Sequence, residues 1–366
     1  MDSGNIGFVL LCAAFVFVMT PGLAMFYGGL VRKKNVVNTM MTSIFIIGVG
    51  IVMWVLFGYS LSFAPSGNAF IGDFRWLGLE GVSLTEGYTD DASIPNMVFS
   101  AFQMMFAVIT PALITGAVAG RMKFKSIFVF TIFWSLIVYY PLAHMVWGQG
   151  GLLGADGIGA LDFAGGDVVH ISSGVSALVL CILLGKRHDY EHSIYRIHNI
   201  PTVVLGASLL MFGWFGFNAG SALAADGLAA HAFMTTGVSA AAAMLSWMLC
   251  DIIKNKKPTL IGASTGMVAG LVGITPGAGF VPMWAAVIIG LTTSPVCYIM
   301  ISYGKKKSAL TMRLTHSAVT VQAVSGADFS QVCSHARQST AAQVTVLCTV
   351  SLHSSVLRRQ VSASQL

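Results

Sequence analysis

Eight long stretches of this sequence contain no charged residue, and they limit what the chain can fold into. A helix that crosses the hydrocarbon core of a membrane needs about 20 consecutive apolar residues. Seven of the stretches have room for one such helix, and the eighth has room for two, divided by turn-forming residues at 275–279. The stretches are residues 3–31, 35–72, 92–120, 126–155, 168–185, 197–225, 227–250 and 258–304. The sequence therefore predicts nine membrane-crossing helices, numbered here as spans 1 to 9 in chain order.

Composition indicates a membrane protein rather than a soluble one. Hydrophobic residues make up 55% of the chain and charged residues only 9%, whereas charged residues make up about 25% of a soluble domain. The predicted fold class is all-α, a polytopic transmembrane helical bundle formed by residues 1–307. Its spans are expected at about residues 4–31, 37–64, 93–120, 126–146, 167–185, 198–222, 228–252, 258–275 and 281–303.

Lysine and arginine cluster at every second connection between the predicted spans. Short loops rich in these residues stay in the cytoplasm, and the alternate connections are acidic or neutral. We therefore expect the N-terminus outside, the C-terminus inside, and a multi-pass protein of the cell membrane. The net charge of +6 then reflects this topology. The sequence has no basic face with interleaved aromatic residues, which is the pattern that would predict nucleic-acid binding.

The six cysteines are scattered, and no two of them form a C-x-x-C motif. This pattern predicts neither a disulfide scaffold nor a metal site. Four of the cysteines lie inside charge-free stretches, where they are expected to pack as small core residues. We expect no metal and no cofactor. These four are Cys12, Cys181, Cys250 and Cys297.

Four segments place polar or aromatic residues at membrane depth, where polar groups are costly and each is a candidate for a functional site. The segments are residues 102–116, 143–170, 213–221 and 262–266. Aromatic residues in an apolar helix usually belong to the core, and a single intramembrane histidine is as often a satisfied core residue. Taken together, however, Phe106, Trp147 and Ser221 have the chemistry to surround a small cation, with Asp162 as a nearby negative charge. His170 follows deeper in the same region, where it would line a narrow path.

At this point the residues resemble the ammonium transporter family (Amt/Mep/Rh), in its Amt type. The likeness covers residues 1 to about 307 and rests on three motifs. These are P-G-L-A-M-F-Y-G-G-L-V-R at 21–32, the region between His144 and His170 with its D-F-A-G-G sequence, and G-F-N-A-G-S at 216–221. The resemblance implies a fold of eleven helices, of which this chain has room for nine, with one pore in each protomer of a homotrimer. It also implies a PII-type signalling protein as a partner on the cytoplasmic face of many members.

Roles for individual residues follow from the same resemblance. Phe106, Trp147 and Ser221 correspond to an outer site that recruits ammonium, with methylammonium as an analogue, and Phe106 with Phe217 corresponds to a stacked gate. Trp214 would line the pore, and His170 would be the first of two pore histidines. Asp162 would be the structural acid that supports the outer site.

Physical chemistry explains why such a motif needs both aromatic rings and imidazole. Burying a bare ammonium ion carries an idealised cost of the order of 20 kcal/mol, whereas a desolvated cation–π contact returns about 2 kcal/mol. Aromatic rings can therefore concentrate the ion at the mouth but cannot carry it across. Beyond the gate, the path needs either deprotonation to ammonia or compensating hydrogen bonds. Histidine provides for both, because its ring nitrogens can donate and accept near neutral pH.

Two alternatives remain open at the level of sequence. Residues 262–266 satisfy the G-x-S-x-G pattern around Ser264, which would indicate an intramembrane hydrolase. That chemistry depends on a turn from a strand to a helix, and here no strand precedes the serine, so helix packing through small residues is the preferred interpretation. The other alternative is an ammonium sensor or receptor that does not transport.

From Ser308 onwards the composition changes abruptly. Seventeen of the residues from 308 to 366 are Ser or Thr, and the segment contains no Lys, Glu, Pro, Trp or Tyr. Disorder would be the ordinary interpretation of such a cytoplasmic tail. However, residues 308–326 can be back-translated into codons that, after one restored base, read FGIDDALDTFGCHGAGGIW in the shifted frame. That peptide resembles the tenth helix of the family, so we infer a one-base frameshift near Lys307.

The frameshift has a direct consequence for the expected mechanism. The second pore histidine of the family would be encoded across Val319 and Thr320 and is not present as an amino acid. His316 does not replace it, because it lies in the unrelated Ser- and Thr-rich segment. The 366-residue chain is therefore expected to be unstable or inactive in ammonium uptake.

Overall fold

A computed structural model describes residues 1–65, 67–154, 157–185 and 197–307, with side chains to residue 301. The described residues are helical and contain no strand. Nine helices among them are long and apolar enough to cross a membrane. Spans 1 to 9 are Ser3–Leu30, Lys33–Phe63, Asn96–Val118, Phe124–Trp147, Gly166–Leu184, Ile200–Gly220, Gly227–Asn255, Leu260–Gly277 and Met283–Ile301. The predicted all-α transmembrane class is confirmed, whereas residues 308–366, with the predicted frameshift, lie outside the described residues.

Short polar side chains fix the first turns of four spans. Asp2, Asn199, Asp226 and Thr259 each accept a hydrogen bond from the backbone N–H three residues later, at 2.8 to 3.0 Å. Such caps satisfy backbone donors that the first turn of a helix leaves without partners. The starts of spans 1, 6, 7 and 8 are therefore determined locally by sequence.

Three spans are interrupted by π-helical turns, in which one residue more than usual fits into the turn. The turns are Trp54–Gly58 in span 2, Ser135–Tyr139 in span 4 and Gly166–Ile171 at the start of span 5. Such turns are rare and frequently mark functional sites. The one in span 5 contains His170.

Small residues let neighbouring spans approach closely. Span 1 packs extensively against span 6, and a Cβ atom added to Gly206 would lie 2.3 Å from the backbone nitrogen of Phe26. Spans 7 and 8 meet in the same way, since a Cβ on Gly266 or Gly270 would lie 2.5 Å from atoms of span 7. Membrane helices commonly associate through such close contacts.

Arg121, which follows span 3, binds the C-terminal end of span 5. Its guanidinium donates to the carbonyl oxygen of Gly185 at 3.1 Å and also to that of Ala117. Gly185 caps the C-terminus of the helix Ser172–Leu184, where carbonyl groups lack helical partners. The end of span 5 is thereby attached to span 3.

Candidate aromatic pore

A cavity of about 390 Å³ lies at the end of the bundle where span 3 begins and span 4 ends. Phe106, Trp147, Asp162 and Ser221 all contribute to its lining. The sequence motifs therefore come together in one space, although they belong to spans 3, 4 and 6 and to the segment before span 5. Trp147 and Ser221 are partly exposed, whereas Phe106 is 1% exposed and forms the floor.

The hydrogen bonds of Trp147 and Ser221 leave a π face and an acceptor oxygen available in this cavity. The indole N–H of Trp147 donates to the backbone oxygen of Asp162 at 3.0 Å, which fixes the ring and leaves its π face available. The hydroxyl of Ser221 donates to the carbonyl of Phe217 at 2.9 Å, so its oxygen lone pairs remain available as acceptors. The cavity thus offers π faces and an acceptor, which are groups that attract a cation carrying N–H donors.

Phe106 and Phe217 close the bottom of the cavity. Their rings are stacked with centroids 4.3 Å apart and an interplanar angle of 29°, and Trp147 meets Phe106 edge to face at 5.9 Å. Stacked rings at this distance are in van der Waals contact and leave no room for water between them. The two phenylalanines therefore form a closed barrier at this level.

Asp162 holds the start of span 5. Its two carboxylate oxygens accept hydrogen bonds from four backbone N–H groups at 2.6 to 3.1 Å. These belong to residues 165–168. Burial raises the pKa of the Asp162 carboxyl, and the four N–H donors act in the opposite direction by stabilising the charged form.

The two glycines after Asp162 are required by this local geometry. Gly165 has φ of 111°, a backbone conformation that residues with a Cβ rarely adopt. A Cβ on Gly166 would lie 2.4 Å from the Pro276 side chain. The D-F-A-G-G sequence therefore builds a tight turn that brings span 5 against the end of span 8.

His170 lies directly beneath these two phenylalanines. Its ring stacks on Phe217 at 6.0 Å and on Trp214 at 5.4 Å. It is 1% exposed, and neither ring nitrogen has a hydrogen-bond partner among the described residues. An unsatisfied buried imidazole is costly and calls for an explanation.

Below the two phenylalanines the open space is small, and most of its lining is apolar. A cavity of about 20 Å³ is lined by His170, Trp214, Phe217 and apolar residues of spans 1, 3, 5, 6 and 8. Such a volume has room for one molecule the size of water. A cation with its hydration shell does not fit there.

Thr275 is a residue of this site that the sequence reasoning missed. Its hydroxyl accepts the indole N–H of Trp214 at 2.9 Å and donates to the carbonyl of Leu271 at 2.8 Å. This holds the Trp214 ring against His170. Thr275 lies in the T-P-G turn that ends span 8, and only its polarity beside a helix break could have drawn attention to it in the sequence.

The alternative serine site has a different setting. Ser264 lies within the α-helix Leu260–Ile274 rather than at a turn from a strand to a helix, and the glycines that follow it pack on span 7. Across the described ranges, no group of three His, Cys, Asp or Glu side chains could hold a metal ion.

Comparison with known proteins identifies a family. A family model described as Ammonium Transporter Family matches residues 7–327. An ammonium transporter of Bacillus subtilis (strain 168) is 52% identical over 307 residues, which cover 84% of this chain and 74% of that protein. An ammonium transporter of Mycobacterium tuberculosis (strain ATCC 25618 / H37Rv) is 43% identical over 320 residues, which cover 82% of this chain and 67% of that protein.

Solved structures give the same result. The crystal structure of Saccharomyces cerevisiae Mep2 matches with a TM-score of 0.82 at 36% identity, covering 90% of this chain and 72% of that one. A structure described as Sensor Amt Protein matches with a TM-score of 0.79 at 27% identity, covering 90% and 81%. The curated relatives are named as transporters rather than enzymes, which confirms the prediction that this is not an enzyme. With nine candidate spans and these relatives, the chain is a multi-pass membrane protein that belongs to the Ammonium Transporter Family.

Proposed function

We propose that this fold takes up ammonium at the outer cavity and passes it along the aromatic column to His170. The observation that carries the proposal is the unbroken series of rings from Trp147 through Phe106 and Phe217 to His170, with neighbouring centroids 4.3 to 6.0 Å apart. Trp147, Phe106 and Ser221 recruit the cation, and Phe106 with Phe217 forms the gate. His170 and Trp214 line the pore, and Asp162 is the structural acid.

The change in surroundings at the gate sets the chemistry of passage. The outer cavity has π faces and an acceptor for a cation, whereas the space beneath has room for one small molecule and no counter-charge in its lining. A cation that leaves the outer cavity must release its proton or find compensating hydrogen bonds. The two free ring nitrogens of His170 supply the polar atoms for either process.

The orientation and assembly of the chain belong to the same proposal. The basic connections place the N-terminus outside and the outer cavity on the extracellular side. We propose a homotrimer with one pore in each protomer, and a PII-type signalling protein as partner on the cytoplasmic face. Cross-linking in membranes tests the first, and co-purification with a PII protein tests the second.

We also propose that residues 308–366 arise from a one-base shift near Lys307. Support comes from the back-translation of residues 308–326. The shift would replace the second pore histidine and the helix that carries it, so the 366-residue product is inactive. Resequencing the gene around codon 307 is the direct test. If the reading frame through residue 366 is confirmed, the shift is not a sequencing error.

A flux measurement tests function and frame together. The 366-residue chain and a version with one base restored are reconstituted in liposomes at equal protein density, and ammonium uptake is followed. We expect uptake only in the restored version. Comparable flux from both would show that the shifted segment is dispensable, and no flux from the restored version would contradict transport.

The second candidate function is an ammonium sensor that binds without transporting. The similarity to the structure described as Sensor Amt Protein supports this second candidate. Saturable ammonium binding by the restored chain, with no flux in the same liposomes, would support this alternative.

A further inference from the structure

Gln103 lies on the cavity-facing side of span 3. Phe99, Gln103 and Phe106 all line the outer cavity, and their spacing of four and three residues places them on one face of the helix. Two of the three positions are aromatic, and Gln103 is the polar one. It stands one helical turn outward from the gate.

The amide of Gln103 is shielded from water but not bonded. The side chain is 8% exposed, and its Oε1 atom has no hydrogen-bond partner among the residues that the structure describes. Most buried polar side-chain atoms do have a partner. Because this oxygen presents almost no surface to the cavity as placed, it is a half-turn of the amide, which exchanges oxygen and nitrogen, that turns the oxygen towards a ligand in the cavity.

The other polar groups of the cavity leave room for such a contact. Ammonium has four N–H donors and no acceptor, so each nearby acceptor adds a hydrogen bond. Ser221 uses its proton on Phe217 and keeps its lone pairs, and the Trp147 N–H is occupied by Asp162. The Gln103 amide, whose oxygen and nitrogen exchange places by a half-turn about the last side-chain bond, is a second neutral acceptor.

We propose that Gln103 is a specificity-determining residue of the outer site, where its amide oxygen accepts an N–H from bound ammonium. The assignment rests on the proposed recruitment function and deepens it. Methylammonium must point its methyl group in one of the four directions that ammonium fills with N–H. A carbonyl acceptor in the wall disfavours that direction, so Gln103 favours ammonium over its methylated analogue.

Binding to the purified, frame-restored chain tests the proposal without requiring transport. Tryptophan fluorescence is titrated with ammonium chloride and with methylammonium chloride at constant ionic strength, and Trp147→Phe identifies the part of the signal that reports the site. Gln103→Leu should raise the dissociation constant for ammonium about 2- to 10-fold, as expected for one lost hydrogen bond. It should raise that for methylammonium less, because the methyl group can then rest on the leucine.

Gln149→Leu is the matched control. The Gln149 amide donates to the carbonyl of Tyr88 at 2.9 Å, and this exposed residue is not part of the cavity lining, so neither constant should change. Equal constants for wild type and Gln103→Leu, or an equal loss for both ligands, would overturn the specificity role while leaving recruitment intact. Absence of any ammonium-dependent signal from the wild type would instead overturn recruitment and this assignment with it.

A second variant serves if Gln103→Leu does not fold. Gln103→Glu keeps the acceptor and adds a negative charge, so both cations should bind more tightly, and the gain should disappear as the carboxylate is protonated at low pH. Unchanged or weaker binding by this variant also overturns the proposal.

Discussion

Asp162 and His170 are two buried titratable side chains at the outer end of span 5, and they differ in one respect. All four hydrogen bonds recorded for the Asp162 side chain come from backbone N–H groups of the following turn. The His170 ring stacks on aromatic rings and lies among apolar side chains. Both of its ring nitrogens are without partners in the described part of the chain. One buried group is used to build the fold, whereas the other keeps both ring nitrogens available for the passage proposed above.

The difference shows that burial alone does not identify a functional group. A satisfied polar group contributes to structure, because removing it leaves its partners without hydrogen bonds. An unsatisfied one costs stability, which selection tolerates where function needs it. Substitution at the two positions should therefore have opposite effects on stability and on transport.

The largest effect on stability is expected for Asp162→Ala. The change leaves four backbone N–H donors buried without an acceptor, at about 1 to 3 kcal/mol for each, and removes the anchor of span 5. Thermal unfolding of the purified protein, monitored by size-exclusion chromatography, should show a strongly lowered midpoint temperature. Asp90→Ala, at an exposed loop position, is the control. A midpoint equal to that control would contradict the anchoring role.

His170→Leu should show the converse. Because neither ring nitrogen of His170 has a partner in the described part of the chain, the unfolding midpoint should be unchanged or higher. Ammonium flux through the frame-restored chain should fall by about 10²-fold, as for loss of a proton-transfer group. His231→Leu is the control, since that imidazole lies 2.8 Å from the carbonyl of Val281, away from the column. Normal flux in His170→Leu would remove the histidine from the proposed path.

Trp147→Leu tests the outer end of the column and should have the smallest effect. Loss of its π face weakens recruitment by about 0.5 to 2 kcal/mol, which raises the half-saturating ammonium concentration in uptake by the frame-restored chain. Trp147→Phe should retain part of the affinity. Ser264→Ala should leave uptake nearly unchanged. A half-saturating concentration for Trp147→Leu equal to that of Ser264→Ala would argue against recruitment by this ring.

The sequence was sufficient to predict the spans because a helix that crosses a membrane excludes charged residues along its whole length. It also identified the rings that meet in the column, since the motifs at 102–116, 143–170 and 213–221 each carried an aromatic or imidazole group. It did not reveal how Asp162 is used. Asp162 was expected as a nearby negative charge and, by the resemblance, as a structural acid, but the sequence did not show that its carboxylate accepts from the four N–H groups of residues 165–168.

The features that sequence could not supply depend on residues far apart or on an irregular backbone. The bond between Trp214 and Thr275 joins residues 61 positions apart, and no local pattern encodes it. The π-helical turn Gly166–Ile171 breaks the ordinary helical period, so a search for that period passes over it. Gln103 was visible only as one glutamine among apolar neighbours, and its missing partner required coordinates.

Span 5 carries a fixed ion at each end, with Asp162 at its N-terminus and Arg121 at its C-terminus. A helix has a partial positive charge at its first residue and a partial negative charge at its last, so each ion meets the opposite sign. Sliding this helix along its axis would separate at least one of the two pairs. These two contacts therefore hold span 5 in place along its axis. Rotation of the Phe106 and Phe217 rings would leave these two pairs intact, whereas displacement of the helix that carries His170 would break one of them.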